Sequence, residues 1–141
     1  MTNINDYEFP DDLFYTKEHV WAKVEGNIVT IGLSQFGQDI AGDILFVEMP
    51  AEGREIKQDE AFMSMESGKW VGRVKAPIGG TILESNTELE WESDLVNSDP
   101  YGEGWLTKIE MAEASELDTL TKADSADFSR FIEEEIAKYK K

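Results

Sequence analysis

The sequence predicts a mainly β fold, a compact barrel or sandwich of short strands that ends in an amphipathic helix. Apolar runs of strand length recur along the chain up to about residue 110. Turn-forming residues separate these runs at 25–27, 50–53, 77–80 and 99–102. After residue 110 the apolar residues recur instead at helical spacing, which predicts that helical structure completes the fold.

Seven strands are expected, each rich in branched, aromatic or sulfur-containing side chains. In chain order they span residues 20–24, 27–33, 44–49, 61–65, 70–74, 81–83 and 105–109. A short helix is expected at 34–40, because Ser34 can accept a hydrogen bond from a free N–H group of its first turn. Residues 89–95 are acidic and irregular, and their pattern predicts neither a strand nor a helix.

A longer helix is expected to begin near Ser125. Glutamate and lysine residues fall largely outside its apolar face, so the helix is amphipathic. We expect the apolar face to pack on the sheet, because small β domains often cover an open face in this way. Docking of a partner protein on that face is the alternative. The apolar positions of this helix are Phe128, Phe131, Ile132, Ile136 and Tyr139.

Composition argues against an enzyme. The 141 residues contain no cysteine and only one histidine, His19, which is expected to be a packed or hydrogen-bonded residue near the first strand. No sequence motif of a metal, phosphate-binding or nucleophilic site is present, so we expect neither catalytic nor metal-ligating residues. The chain also lacks a leader pattern at 1–10 and any long apolar stretch, and these features predict a cytoplasmic protein.

The formal net charge of −17 limits the class of partner. Thirty acidic residues outnumber thirteen basic ones, whereas nucleic acids and anionic membranes are bound by clustered lysine and arginine. We therefore expect neither as a partner. Steering toward basic patches on larger proteins is one interpretation of the charge, and simple solubility is the other.

One lysine, Lys69, occupies an unusual place between two strand-like runs. Ser67 and Gly68 precede it and are typical of a hairpin turn, in which Gly68 could adopt a positive φ angle without steric cost. Such a turn would present the Lys69 amine clear of the sheet, as an acylating enzyme requires. An ordinary solvated turn lysine is the alternative interpretation.

Several motifs in the same order and spacing resemble the lipoyl-carrying H protein of the glycine cleavage system and its close relatives. The resemblance covers nearly the whole chain after the first dozen residues. The motifs are Tyr-Thr-Lys-Glu-His-Val-Trp at 15–21, Gly-Asp-Ile-Leu-Phe-Val-Glu-Met-Pro at 42–50, Met-Glu-Ser-Gly-Lys at 65–69 and Leu-Val-Asn-Ser-Asp-Pro-Tyr-Gly-Glu-Gly-Trp-Leu at 95–106.

This resemblance implies a barrel-sandwich hybrid of the lipoyl/biotinyl-carrier type. It implies an N-terminal extension at 1–12, a lipoyl-carrier domain at 13–112 and a C-terminal helical segment at 113–141 packed on that domain. Lys69 would carry lipoate through an amide to its side-chain amine. The attaching enzyme, a lipoate ligase or lipoyl transferase, would require a glutamate three residues before the lysine and a glycine eleven residues after it, here Glu66 and Gly80.

The implied function is that of a non-enzymatic carrier with a swinging lipoyl arm. A glycine decarboxylase would load an aminomethyl group, an aminomethyltransferase would remove it, and dihydrolipoamide dehydrogenase would reoxidise the arm. The chain departs from the family pattern beside the lysine, where Gly68 replaces the usual valine and Trp70 replaces a small residue. Trp70 is interpreted either as a plain strand residue or as a platform for the arm. The departures keep open an alternative function, which is to carry sulfur species for a heterodisulfide-reductase-like sulfur-oxidation complex.

Overall fold

The computed structural model describes residues 1–139 and consists mainly of short antiparallel strands. The twelve strands are β1 (Thr2–Ile4), β2 (Tyr7–Phe9), β3 (Phe14–Tyr15), β4 (Val20–Glu25), β5 (Ile28–Leu33), β6 (Ile44–Glu48), β7 (Glu55–Ile56), β8 (Ala61–Ser67), β9 (Val71–Lys75), β10 (Gly80–Ser85), β11 (Thr107–Met111) and β12 (Thr121–Lys122). The three α-helices are α1 (Gln35–Ala41), α2 (Leu95–Ser98) and α3 (Ala126–Tyr139). Short 3₁₀ segments occupy Thr87–Glu90 and Ala114–Thr119.

The strands form two main sheets and a separate hairpin. Seven strands pair in the order β12-β3-β4-β5-β11-β10-β7, and three pair in the order β6-β8-β9, while β1 and β2 pair with each other. Apolar side chains from both main sheets meet in one buried cluster, to which β8 contributes Phe62, Met63 and Met65. Each main sheet therefore stabilises the other by removing its inner face from water.

A second buried cluster joins the two ends of the chain. Phe9 on β2 lies edge to face against Phe128 on α3, with ring centroids 5.0 Å apart, and Tyr15 on β3 lies 4.8 Å from the same ring. The N-terminal hairpin and the C-terminal helix thus share an aromatic core beside the seven-stranded sheet. Residues 1–12 are integrated into this cluster through Phe9. The proposed division of the chain at residues 12 and 112 stays a prediction.

All seven expected strands are present, with ends that differ from the prediction by at most two residues. The helix expected at 34–40 is α1, and the Ser34 side chain accepts a hydrogen bond from Gly37 N–H, as predicted for its cap. The later helix begins at Ala126, where Ser125 Oγ accepts from Phe128 N–H. Its buried face packs against the aromatic cluster, which includes β1 and β3 residues.

The sequence pattern describes other parts of the fold incompletely. The segment after residue 110 is not all helical, because β12 returns to pair with β3 before α3 begins. Five short strands, each of two or three residues, have no counterpart in the prediction: β1, β2, β3, β7 and β12. Residues 89–95, whose pattern favours no element, comprise the end of the first 3₁₀ segment, a turn at 91–94 and the first residue of α2. Within residues 1–139 no helix is long and apolar enough to cross a membrane.

Candidate functional site

Lys69 lies in the turn between β8 and β9, two paired strands of the smaller sheet. Glu66 pairs with Val71 in the last row before the turn, and Ser67 N–H donates to the Trp70 carbonyl at 2.7 Å. Gly68 and Lys69 are therefore the two connecting residues, and both are exposed. The prediction that Lys69 stands at a hairpin tip agrees with this geometry.

A buried serine, not the glycine, holds the turn in place. Ser67 Oγ donates a hydrogen bond to the Ala41 carbonyl at 2.5 Å and accepts one from Lys69 N–H at 3.3 Å. The first bond anchors the tip of the hairpin to the end of α1, and the second fixes the backbone of Lys69. Because the Ser67 side chain is buried, the loss of these bonds would leave polar groups without water to replace them.

Gly68 does not adopt the positive φ angle that glycine would allow at this turn. Among residues 1–139 the glycines with positive φ are Gly26, Gly42, Gly53 and Gly80, and nothing lies within 4 Å of the position that a Gly68 Cβ would take. The hydrogen bonds of Ser67 shape this connection, so the left-handed conformation of a standard two-residue hairpin is not needed.

Gly42 provides the surface over which the Lys69 side chain passes. It ends α1 with φ +86°, and a Cβ at this position would lie 2.7 Å from Lys69 Cε. The side chain of Asn97 fixes the same segment, because its Nδ2 donates to the Gly42 carbonyl and its Oδ1 accepts from Ile44 N–H, both at 2.9 Å. The lysine stem therefore rests on a hydrogen-bonded part of the backbone.

Sequence reasoning missed Gly42 and Asn97, and it placed Ser67 in the turn without its bond to the Ala41 carbonyl. Ser67 carries a usable signal, because a small polar residue at the end of an apolar strand often bonds to a neighbouring backbone. The contact of Gly42 and Asn97 with the turn depends on the packing of α1 and α2 and has no local signal.

A cavity of about 320 Å³ opens beside the turn. Trp70, the residue after Lys69, forms one wall, and its indole lies across Gly72, where a Cβ would approach Trp70 Cζ2 to 2.0 Å. Ile40 and Tyr139 add apolar surface, while His19 and Glu135 add polar atoms. Trp70 lies just before β9, and because Gly72 has no side chain, the indole folds back to line a cavity next to the candidate lysine.

His19 forms the polar floor of this cavity together with Glu135. Its Nε2 lies 2.8 Å from Glu135 Oε1, and since a carboxylate only accepts, Nε2 carries the proton of this bond. Burial lowers the pKa of His19 from its ordinary value of 6.5, against the opposing effect of Glu135. The ring also stacks on Phe131 at a centroid distance of 5.6 Å. The expectation of a packed, hydrogen-bonded histidine is confirmed.

The two residues predicted to guide cofactor attachment are far apart. Glu66 is exposed one row from the turn, whereas Gly80 is buried on β10 and pairs with Ile56, near the opposite end of the β8–β9 hairpin. The seven residues of β8 span about 20 Å at roughly 3.3 Å per residue, which separates the two ends. A Cβ at Gly80 would lie 1.9 Å from the Glu110 carbonyl oxygen, so packing alone requires glycine there.

No group of three or more histidine, aspartate or glutamate side chains within residues 1–139 is arranged to hold a metal ion. The acidic groups around Lys69 include Asp39 and Asp43, which line an open depression together with the Lys69 side chain. What the site offers chemically is a single presented amine on an anchored turn, with a partly enclosed cavity next to it.

Comparison with known proteins identifies similar chains. The family model described as "Glycine cleavage H-protein" matches residues 13–135. The glycine cleavage system H protein of Symbiobacterium thermophilum is 48% identical over 125 residues, which cover 89% of this chain and 96% of that relative. The protein of the same description from Salinibacter ruber is 46% identical over 116 residues, covering 82% and 94% respectively.

A solved structure is also similar. The crystal structure of a glycine cleavage system H protein from Mycobacterium marinum superposes with a TM-score of 0.69 at 31% sequence identity. The match covers 77% of this chain and 95% of that one. This likeness confirms the predicted fold class, a mainly β barrel-sandwich hybrid with a C-terminal helix.

Proposed function

The chain belongs to the glycine cleavage H-protein family, and from this premise we propose that Lys69 is the residue that bears its lipoyl group. Members of this family are carriers and not enzymes, and this chain is such a carrier for the glycine cleavage system. The observation that best supports Lys69 is its position at the exposed tip of a hairpin anchored by the buried Ser67.

The surroundings of Lys69 fit an amide-linked lipoyl arm. The open space around Gly68 leaves room for the attaching enzyme, and the Lys69 stem passes over Gly42, which has no side chain to displace it. When attached, lipoate supplies a dithiolane that accepts electrons and a transferred group at sulfur. Acylation also removes the positive charge of Lys69, which changes the formal net charge from −17 to −18.

The cavity beside the turn fits a role in sheltering the end of the arm. Trp70 and Ile40 offer apolar surface to the hydrocarbon and sulfur part of the arm, and His19 and Glu135 offer polar atoms to a transferred group. Enclosure of this kind excludes water from a labile group. Of the two interpretations of Trp70, its place in the cavity wall supports a platform for the arm over a plain strand residue.

Glu66 and Gly80 support lipoate attachment by different routes. Glu66 is exposed beside the turn and is available for direct contact with a lipoate ligase or lipoyl transferase. Gly80 acts indirectly, because it allows β10 to approach β11 and so holds the fold that presents the hairpin.

The enzymes of the glycine cleavage system are the partners of this family. For this chain we propose three partner enzymes. A glycine decarboxylase loads the arm, an aminomethyltransferase unloads it and a dihydrolipoamide dehydrogenase reoxidises it. The net charge of −17 would steer this chain toward basic surfaces on these larger proteins. The alternative of carrying sulfur species for a heterodisulfide-reductase-like complex gains no support from the relatives found, which are described as glycine cleavage system H proteins.

Replacing Lys69 with arginine tests the attachment site. We expect Lys69→Arg to abolish lipoyl addition, measured as intact mass after incubation with lipoate, ATP and a purified lipoate ligase. The free energy of unfolding should change by no more than about 0.5 kcal/mol, because the side chain is exposed. Lys75→Arg, on the same hairpin and also exposed, is the matched control and should be lipoylated normally. A full lipoyl increment on the Lys69→Arg variant would refute the assignment.

A further inference from the structure

The N-terminal hairpin, formed by β1 and β2, lies against the helix whose end anchors the Lys69 turn. The family match begins at residue 13, so this hairpin lies outside it. Glu8 N–H on β2 donates to the side chain of Gln35, the first residue of α1, at 2.6 Å. The hairpin is therefore bonded to the same helix that carries the Ala41 anchor of the turn.

The Tyr7 ring on β2 reaches the cavity through one intervening side chain. It lies edge to face against Phe36 on α1, with ring centroids 5.1 Å apart. Phe36 is fully buried and lies in turn 4.9 Å from the His19 ring. His19 has a φ angle of +68°, which is uncommon for a residue with a side chain, and its ring contacts both Phe36 and Phe131. The position of His19 in the cavity floor therefore depends on Phe36, which Tyr7 supports.

The Tyr7 hydroxyl reaches the other side of the turn. It donates a hydrogen bond to the carboxylate of Asp39, which lines the open depression together with the Lys69 side chain. A hydrogen bond to a charged group of this kind is stronger than one between neutral groups. Tyr7 thus holds α1 at residues 36 and 39, which lie three positions apart on one face of the helix.

The end of α1 forms part of the site, so the position of this helix matters. Ile40 lines the cavity, the Ala41 carbonyl anchors the turn, and Gly42 lies under the Lys69 stem. The helix has only seven residues, and a helix this short depends on its tertiary contacts. A small shift of α1 would therefore change both the wall of the cavity and the path of the lysine side chain.

We propose that Tyr7 is a positioning residue for the lipoyl arm, an inference that rests on the proposed function. By holding Phe36 and Asp39, it fixes α1 so that the arm passes from Lys69 into the cavity. The group at the end of the arm is then enclosed, and water reaches it slowly. The N-terminal hairpin thus contributes to the lifetime of a loaded group as well as to the stability of the fold.

The pKa of His19 in the unmodified protein gives a first test. His19 is the only histidine of the chain, so proton NMR identifies its ring signals without further assignment. Burial holds the pKa of His19 below its ordinary value of 6.5. Tyr7→Leu removes the ring contact with Phe36 and should raise the pKa of His19 toward 6.5, because water gains access to the cavity floor. The charged groups that act on His19 are the same in both proteins: Glu18, Glu135 and Lys138.

The lifetime of a loaded aminomethyl group gives a second test. The lipoylated protein is incubated with glycine and a purified glycine decarboxylase, the enzyme is removed, and the release of formaldehyde is followed. In this hydrolysis one water molecule is consumed, the C–S bond breaks, and formaldehyde, ammonia and a free thiol are formed. Tyr7→Phe should speed the release roughly fivefold, because the Asp39 carboxylate loses its donor. Tyr7→Leu should speed it roughly tenfold, because the ring contact is lost as well.

Tyr15→Phe is the matched control. It removes a hydroxyl of the same kind, but the partner of that hydroxyl is the Pro10 carbonyl, at 2.7 Å, and not a residue of α1. The release rate and the pKa of His19 in this variant should match those of the wild-type protein. Urea denaturation of each variant shows whether folded proteins are compared. If Tyr7→Leu does not fold, the release rate of Tyr7→Phe decides.

Three outcomes would overturn the positioning role of Tyr7. They are an unchanged release rate in both Tyr7 variants, an unchanged pKa of His19 in folded Tyr7→Leu, and an effect of Tyr15→Phe as large as that of Tyr7→Phe. Absence of a lipoyl group from Lys69 would instead overturn the proposed function. The His19 titration uses the unmodified protein, so it would still test the role of Tyr7 in the cavity.

Discussion

Two glycines twelve residues apart occupy opposite environments in this protein. Gly68 is exposed in the turn, with nothing within 4 Å of the position that a Cβ would take. Gly80 is buried on β10, where a Cβ would lie 1.9 Å from the Glu110 carbonyl oxygen. The first glycine leaves space for another molecule, and the second allows two strands of the same molecule to approach. Glycine is therefore required at residue 80 by strand packing, whereas at residue 68 its absent side chain only leaves open space.

The largest expected effect comes from Gly80→Ala. The added methyl group meets a backbone carbonyl that cannot rotate away, so β10 and β11 must separate or shift. We expect the free energy of unfolding to fall by about 3 kcal/mol. Urea denaturation followed by tryptophan fluorescence measures this change. A stability equal to that of the wild type would contradict the packing requirement at Gly80.

An intermediate effect is expected from Ser67→Ala, which removes the hydrogen bonds that hold the exposed turn of the hairpin. The end of the hairpin near Gly80 is left unchanged. The Ala41 carbonyl loses its donor and the Lys69 N–H loses its acceptor. The free energy of unfolding should fall by about 1–2 kcal/mol. Hydrogen exchange at residues 67–70 should also become faster. Ser64→Ala, on the same strand but only half-buried, is the control, and an equal loss of stability in both variants would contradict the anchoring role.

The smallest effect is expected from Gly68→Ala, and it should have the opposite sign to that of Gly80→Ala. The turn has room for the methyl group and does not use a left-handed conformation at this residue. Replacing glycine there restricts mainly the unfolded chain and should raise the free energy of unfolding by about 0.5 kcal/mol. The urea midpoint measures it. A clear loss of stability would indicate that the turn needs glycine for its backbone after all.

Strand positions were largely predictable from sequence because the longer strands carry their own apolar pattern. The strand at 20–25 and its partner at 28–33 are examples, separated by the expected turn at Gly26 with φ +66°. The two-residue strands were not predictable, because a pair such as Phe14–Tyr15 is too short to show a period and becomes a strand only through its neighbours.

The sequence predicted the turn that carries Lys69, but it did not predict the residues that hold this turn and line the cavity beside it. Lys69 and its turn could be identified from the local sequence and from the family resemblance. Asn97 could not, because its bonds to Gly42 and Ile44 join distant parts of the sequence and exist only once α1 and α2 have packed together. The position of the Trp70 ring likewise depends on Gly72, because the ring lies where a side chain at residue 72 would be. A glycine in the sequence does not by itself indicate such a contact.

The pairing of Thr121 with Tyr15 has a consequence for folding. It joins residues 106 positions apart, so this edge of the larger sheet cannot form until residue 121 has been synthesised. The β8–β9 hairpin, in contrast, pairs residues within the short segment from Ala61 to Lys75. The segment that presents Lys69 can therefore pair within itself before residue 121 has been synthesised, whereas the outer edge of the larger sheet cannot.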